Sequence, residues 1–196
     1  MAERKRRLVS DELTESALQL LALKGYDGVT IDEIVAAAGV SRRTFFRYFA
    51  SKEDVVVQFL ADMGSDMRTE LADRPADERP SEALLHAVRI PLRACAADSE
   101  RALRVVRLIL RTPALHARFL ERQAHWRDDL TAQLGQRLGL APATALYPGL
   151  AAGMALTAFD AVLRRWCDSG GADDPAALLD QAFAVIGPAL DGGAGR

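Results

Sequence analysis

Residues 42–49, Arg-Arg-Thr-Phe-Phe-Arg-Tyr-Phe, combine the side chains in this sequence that are best suited to binding another molecule. Guanidinium groups donate paired hydrogen bonds to guanine or clasp phosphate oxygens, and apolar rings contact the thymine methyl group. At helical spacing Phe45 and Phe49 share one face, so we expect them to pack inward. The opposite face then presents Arg42, Arg43, Phe46 and Arg47.

Helix signals ahead of this stretch predict a helix-turn-helix. Thr30 is followed three residues later by Glu33, the spacing of a capping box at a helix start. Gly39 suits a tight turn, and Ser41 suits the cap of the next helix. A capped helix, a glycine corner and a second basic helix are typical of DNA-binding proteins in which the second helix enters the major groove. A solvated basic face, with Thr30 and Ser41 acting only as caps, is the alternative.

Composition and periodicity predict an all-α protein of about nine helices. The chain is 49% hydrophobic, 27% charged and only 6% aromatic, which favours a folded helical protein over a disordered chain or a β-sandwich. Ser81 is expected to cap the first helix after the loop at 73–80. We place a helix-turn-helix DNA-binding domain with a basic N-terminal arm at 1–54, a helical ligand-binding and dimerisation domain at 55–190, and a disordered tail at 191–196.

Several other classes of protein are disfavoured by the sequence. No apolar run approaches the roughly 20 residues that span a bilayer, so we expect a cytoplasmic protein without a membrane partner. GxSxG, P-loop, dinucleotide-binding and HExxH motifs are absent from the sequence, so we predict no enzyme, no metal and no cofactor. An architectural protein that binds DNA without sequence preference, or a helical protein-interaction module, is the alternative function.

The sequence from about residue 10 to residue 54 resembles the DNA-binding domain of the TetR (tetracycline-repressor) family. Residues 25–30, 34–41 and 44–53 correspond to the family patterns Gly-Tyr-x-Gly-Thr/Val-Thr, Ile-Ala-x-x-Ala-Gly-Val-Ser and Thr-Phe/Leu-Tyr-x-Tyr/His-Phe-x-Ser/Asn-Lys-Glu. The third match departs from its pattern at Phe46, where the family often has tyrosine. The resemblance implies a homodimeric repressor on a palindromic double-stranded DNA operator, with half-sites about 34–36 Å apart or somewhat more. It places base contacts at Arg42, Arg43 and Phe46. Phosphate contacts are expected at Thr30, Ser41, Thr44, Arg47, Tyr48 and Lys52.

Residues 42–54 and the helix pattern behind them are similar to the mycofactocin-regulator branch of the family, whose members are thought to sense acyl-coenzyme A. This similarity implies a small apolar or acyl-type effector that releases DNA. Apolar stripes and nearby polar groups then become pocket candidates: Leu60, Met63, Met67, Arg89, Ile109, Phe119, Trp126, Met154 and Asp160. Core packing is the alternative for the apolar members, and salt bridges are the alternative for the charged ones, such as Asp160 with Arg164.

The helix predicted at 143–168 is rich in glycine and alanine, which lets another helix approach closely. Together with the last helix it predicts a two-helix surface that pairs with its copy in a four-helix bundle. The predicted dimer contacts are Gly149, Ala152, Gly153, Leu179, Phe183 and Ile186. Packing within the core of a single chain is the alternative.

Overall fold

A computed structural model describes residues 2–140 and 146–193, apart from the side chains at 2–6 and 94–97. Every regular element within these ranges is an α-helix, which confirms the all-α fold. The helices are α1 (Ala2–Lys24), α2 (Ile31–Ala37), α3 (Arg42–Tyr48), α4 (Lys52–Asp73), α5 (Pro80–Ala97), α6 (Ser99–Arg111), α7 (Pro113–Arg137), α8 (Leu146–Asp168) and α9 (Pro175–Gly193).

The chain divides into two compact units, and the first contains Met1–Ala61 together with Arg104–Phe119. Within it α1 packs against α2, and α2 packs against α3. Apolar side chains from these helices are buried: Leu13, Ala17, Leu21, Ile34, Val35, Phe45 and Phe49. This unit extends past residue 54, where the sequence placed a domain boundary, and it includes a segment from much later in the chain.

The second unit contains Asp62–Leu103 and Leu120–Arg196. In it α9 packs against both α5 and α8. Trp126 of α7 is buried and meets Phe159 of α8 edge-on, with 6.4 Å between ring centroids. Trp126 also packs against Gly64 in α4, so closely that a Cβ at this glycine would lie less than 3.0 Å from the indole. Trp126 therefore contacts both α4 and α8.

Polar contacts join α5 and α8 to the end of α9. The Ser81 hydroxyl donates to Asp191 Oδ2 at 2.8 Å, and the Ser81 N–H donates to Asp191 Oδ1 at 3.0 Å. The prediction that Ser81 caps a helix is wrong, because this residue lies inside α5, whose start has no side-chain cap. Nearby, the Tyr147 hydroxyl donates to the Leu190 carbonyl at 2.5 Å. Burial, and then the charge of Asp191, raise the pKa of Tyr147 to about 12.

Both ends of the chain are more helical than the sequence predicted. Helix α1 begins at Ala2, so the backbone of the predicted basic arm is helical at 4–7, and the arm itself stays a prediction. Helix α9 continues to Gly193, so residues 191–193 are helical and the predicted disorder at these positions is wrong. Residues 194–196 of the predicted tail lie outside the described residues.

Helix α8 corrects one expectation about membranes. By length and composition alone it is apolar enough to cross a bilayer, although the sequence was expected to contain no such segment. Half of this apolar window is buried inside the protein, as in the core helix of a globular protein. The high alanine content of α8 accounts for both observations, because alanine raises hydropathy and permits close packing.

Candidate nucleic-acid interface

The local structure of the helix-turn-helix agrees with its sequence signals. Thr30 Oγ1 accepts a hydrogen bond from the Glu33 N–H at 3.3 Å, and Glu33 Oε2 accepts one from the Thr30 N–H at 2.9 Å. This reciprocal pair completes the predicted capping box. At the start of α3, Ser41 Oγ accepts from the Thr44 N–H at 3.1 Å. Between the two helices Gly39 has a φ of 64°, a left-handed conformation that favours glycine.

Helix α3 has a buried face and an exposed face, as predicted. Phe45 and Phe49 are both buried, with their ring centroids 5.6 Å apart. The Phe46 ring meets Phe45 edge-on and is 49% exposed. The remaining exposed side chains of this face are Arg42, Arg43 and Arg47. Three guanidinium groups and one accessible ring together have the chemistry that contacts guanine and thymine in a major groove.

Arg42 is already engaged by an acidic residue that the sequence analysis missed. Its Nη1 donates to both carboxylate oxygens of Asp32, each at 3.0 Å. The guanidinium carbon also lies 5.8 Å from the centroid of the Phe46 ring. The Arg42 and Asp32 side chains are 59% and 65% exposed, so the ion pair adds little to stability. Because the two residues are ten positions apart, no local spacing rule predicts their contact.

The predicted phosphate contacts of α3 are partly bonded to each other. Arg47 Nη2 donates to Tyr48 Oη at 3.2 Å, and its guanidinium carbon lies 5.0 Å from the centroid of the Tyr48 ring. The Thr44 hydroxyl shares a hydrogen bond of 3.0 Å with Ser41 Oγ. Thr30 is exposed at the start of α2. All of these groups lie within the first unit: Thr30, Ser41 and Thr44 are at the starts of α2 and α3, whereas Arg47 and Tyr48 are at the end of α3.

Lys52 is placed differently from the other predicted phosphate contacts. Its ammonium donates to the Tyr26 carbonyl at 2.6 Å and to the Val29 carbonyl at 3.1 Å. It also lies 4.0 Å from the centroid of the Tyr26 ring. These contacts tie the first turn of α4 to the loop between α1 and α2. The charged group of Lys52 therefore has partners inside the protein.

A second ion pair joins α1 to α2. Lys24 Nζ donates to Glu33 Oε1 at 2.6 Å, while the other Glu33 oxygen completes the capping box. The Lys24 hydrogen bond, followed by the bonds from Thr30, lowers the pKa of Glu33 from 4.5 to about 2. Glu33 is thus charged throughout the neutral range and holds the start of α2 against the end of α1.

The residues predicted to line an effector pocket divide between the two units. Leu60, Ile109 and Phe119 belong to the first unit and are buried. The second unit contains Met63, Met67, Arg89, Trp126, Met154 and Asp160. Arg89 pairs with Asp180, and Asp160 accepts from Arg164 Nε at 2.7 Å. The two charged candidates therefore form salt bridges, as their alternative interpretation predicted, and a pocket at these residues stays a prediction.

The predicted dimer contacts are also split. Ala152, Leu179 and Phe183 are buried in the core of the second unit, so the prediction that they contact a second copy is wrong. Gly149, Gly153 and Ile186 instead line an open groove of about 890 Å³ formed by α7, α8 and α9. The same groove is lined by exposed apolar residues that the sequence analysis missed: Leu120, Leu150 and Val185, which are 49%, 54% and 79% exposed. A small-residue pattern identified the helix but not its exposed face.

Two family models match the chain. The model described as bacterial regulatory proteins of the tetR family matches residues 13–59, which include the capped helix-turn-helix. The model of the MftR C-terminal domain matches residues 78–191. The chain belongs to the TetR family. As a TetR-family transcriptional regulator it is a DNA-binding protein, and the predicted similarity to the mycofactocin-regulator branch is confirmed.

Individual relatives agree with this assignment. The HTH-type transcriptional regulator TcmR of Streptomyces glaucescens is 33% identical over 146 residues, which cover 71% of this chain and 65% of TcmR. MftR of Mycobacterium tuberculosis, named as a regulator of mycofactocin biosynthesis, is 32% identical and aligns over 96% of this chain and 94% of its own. The crystal structure of FadR from Bacillus subtilis in complex with stearoyl-CoA has the same fold, with a TM-score of 0.67 at 21% identity and coverage of 93% and 97%.

Proposed function

We propose that this TetR-family regulator is a cytoplasmic repressor that binds a palindromic operator as a homodimer and is released by a small apolar or acyl-type effector. The exposed face of α3 is the observation that most supports the proposal, because it places three guanidinium groups on the second helix of a capped helix-turn-helix. Repression follows if the operator overlaps a promoter. No catalytic step, metal or cofactor is part of the proposed activity.

Base contacts are proposed for Arg42, Arg43 and Phe46. Arg43 is the most direct test, because it is exposed on α3 and lies outside the ion pair that holds Arg42. Phe46 replaces a residue that is often tyrosine in the family, so its ring is proposed to contact a thymine methyl group or a sugar. Phosphate contacts are proposed for Thr30, Ser41, Thr44, Arg47 and Tyr48, which position the protein without specifying sequence.

The DNA proposal is tested by fluorescence anisotropy on duplexes from the region upstream of its own gene, with random DNA as competitor and at several salt concentrations. Arg43→Ala should weaken operator binding by about 1–3 kcal/mol and relax the preference for one base pair. Arg68→Ala, which removes an exposed arginine from α4 in the second unit, is the matched control and should leave that preference unchanged. Equal binding to operator and random DNA would favour the architectural alternative.

The homodimer is proposed to form across the groove of α7, α8 and α9. Leu150 and Val185 are more than half exposed there, while Gly149 and Gly153 allow another helix to approach closely. Val185→Arg should therefore shift the protein from dimer to monomer in sedimentation experiments. Leu23→Arg, a change at an apolar side chain of α1 that is 61% exposed, should leave the dimer intact. A dimer that survives Val185→Arg would contradict this interface.

The effector proposal rests on the pocket candidates and on the fold shared with FadR, which was crystallised with stearoyl-CoA. Among the described residues, Arg89 Nε and Asp160 Oδ1 are buried atoms without a hydrogen-bond partner. Arg89 Nε can donate a hydrogen bond to a polar group of a ligand, and Asp160 Oδ1 can accept one. Stearoyl-CoA should release operator DNA from the regulator, whereas coenzyme A or stearate alone should release it less. No release by long-chain or short-chain acyl-CoA would contradict an acyl-type effector.

A further inference from the structure

The contact between Asp32 and Arg42 leaves one edge of the guanidinium group open. Both carboxylate oxygens are bound to the same nitrogen, Nη1. Within the described part of the chain, no hydrogen bond from Nε or Nη2 of Arg42 accompanies these two. A guanidinium group is planar and rigid, so holding Nη1 restricts the directions in which the Nε and Nη2 hydrogens point. Two parallel donors on one edge match the O6 and N7 acceptors of guanine.

The Phe46 ring lies beside the same guanidinium group. The guanidinium carbon of Arg42 lies 5.8 Å from its centroid, and this ring is 5.5 Å from the buried Phe45 ring. Arg42 thus has an anion at one nitrogen and an anchored ring beside it. An unrestrained arginine loses much rotamer freedom when it binds a base, and a restrained one loses less. The arrangement favours one direction of the Arg42 side chain before DNA arrives.

Asp32 also affects binding through its charge. Its carboxylate is 65% exposed beside the face of α3 that is proposed to meet DNA. A negative charge there repels the phosphates of any duplex, independently of sequence. Specificity is a difference between two affinities, and it increases when the weaker of them is lowered. One carboxylate can therefore strengthen the correct contact and weaken incorrect ones.

We propose that Asp32 is a specificity-determining positioning residue, which orients Arg42 toward one guanine and disfavours binding to other DNA. This proposal rests on the base contact of Arg42 in the proposed function. It predicts that removing the Asp32 charge raises the affinity for random DNA but lowers the preference for the correct operator base pair. Loss of fold or of general DNA binding would not produce these two effects together. Asp32→Asn should bind random DNA more tightly while it discriminates less well at one base pair of the operator.

The test measures dissociation constants of the full-length protein for its operator, for operators with each G·C pair replaced in turn, and for random DNA at about 50 mM salt. Arg42→Ala first identifies the G·C pair at which Arg42 discriminates. At that pair Asp32→Asn should reduce discrimination by about two- to fivefold, the scale of an exposed ion pair. Random DNA should bind about twofold more tightly. Asp27→Asn, at an exposed carboxylate in the turn before α2, is the charge-matched control and should leave discrimination unchanged.

Two further variants separate orientation from charge and from folding. Asp32→Glu keeps the charge but moves the carboxylate by one methylene group, so discrimination should fall while random DNA binding stays as in the wild type. In the Arg42→Ala background, Asp32→Asn should have no further effect on discrimination, because the residue to be oriented is absent. Thermal melting of each variant identifies any loss of fold, and Asp32→Glu decides the question if Asp32→Asn unfolds.

The outcomes distinguish this proposal from the one on which it rests. If Arg42→Ala reduces discrimination and Asp32→Asn does not, the base contact stands and the role of Asp32 is overturned. If Asp32→Asn weakens operator and random DNA equally, the residue supports only the fold of α2, and the proposal is overturned. If Arg42→Ala changes no base preference, the proposed base contact itself fails, and the role of Asp32 fails with it.

Discussion

Replacing Gly64 with alanine should destabilise this protein, although glycine-to-alanine changes inside helices are normally stabilising. Gly64 lies in the middle of α4, where alanine is favoured by about 0.5–1 kcal/mol. A Cβ there would lie less than 3.0 Å from Cδ1 and Nε1 of Trp126. Non-bonded carbons prefer separations of about 3.5–4.0 Å, so the indole would have to retreat by about 1 Å.

The surroundings of Trp126 resist that movement. The side chain is 1% exposed and packs edge-on against Phe159, which is itself buried. Overpacking of this kind costs about 1–3 kcal/mol, which exceeds the gain in helix propensity. The net loss should be about 1–2 kcal/mol, or a fall of roughly 2–8 °C in melting temperature for a chain of this size.

Urea and thermal unfolding, followed by circular dichroism, measure this effect against a matched control. Gly192→Ala is the same change in the last turn of α9, where an added Cβ would meet no atom within 4 Å. That variant should be at least as stable as the wild type. Trp126→Phe, which provides a smaller ring, should remove most of the cost of Gly64→Ala in a double-mutant cycle. The reasoning is refuted if Gly64→Ala is as stable as Gly192→Ala.

The remaining predictions concern Lys52, Tyr147 and Glu33. Lys52→Met should destabilise the protein by about 1–2 kcal/mol, because two carbonyls lose a charged donor. The slope of the logarithm of the DNA-binding constant against the logarithm of salt concentration should stay unchanged. A decrease of about 1 in that slope would instead indicate that Lys52 contacts a phosphate. Tyr147→Phe should cost about 1 kcal/mol near pH 7, because the Leu190 carbonyl loses its donor. The raised pKa of Tyr147 also means that wild-type stability should fall as pH rises from 10.0 to about 12, a loss that the Phe variant should not show in urea titrations. The lowered pKa of Glu33 has the opposite effect on the pH dependence of stability. The contribution of Glu33 to the free energy of unfolding should be present above pH 4.5 and lost as pH falls toward about 2. Glu33→Gln should make the melting temperature less dependent on pH in this acid range.

The parts of the structure that the sequence predicts well are those set by neighbouring residues. The Thr30 cap, the Gly39 turn and the alternation of Phe45 with exposed arginines each depend on spacings of three or four positions. The same rules placed the end of the helix predicted at 143–168 where the structure has it, at Asp168. The helix-turn-helix and the exposed face of α3 were therefore predictable without any structure.

The features that the sequence does not predict are contacts between distant residues. Asp32 meets Arg42 across a turn, and Ser81 meets Asp191 across 110 positions, which changes Ser81 from an expected cap into a tertiary contact. Lys52 is directed to carbonyls 23 and 26 positions earlier. On α8, glycine and alanine occur on the buried and the exposed face, so composition alone did not separate Ala152 from Gly153. In each case tertiary packing determined which residues meet or which residues are buried.

The position of α9 in the sequence has a consequence for synthesis of the protein on the ribosome. Helix α5 packs against α9, and Ser81 and Tyr147 both bond to residues at 190–191. The parts of α5 and α8 that α9 covers therefore stay exposed until α9 has emerged. The helix-turn-helix begins to fold far earlier, since domains generally fold in order of synthesis. A nascent chain passes through a stage with a formed DNA-binding element and an incomplete second unit, and chaperones that bind exposed apolar helices should associate with it at that stage.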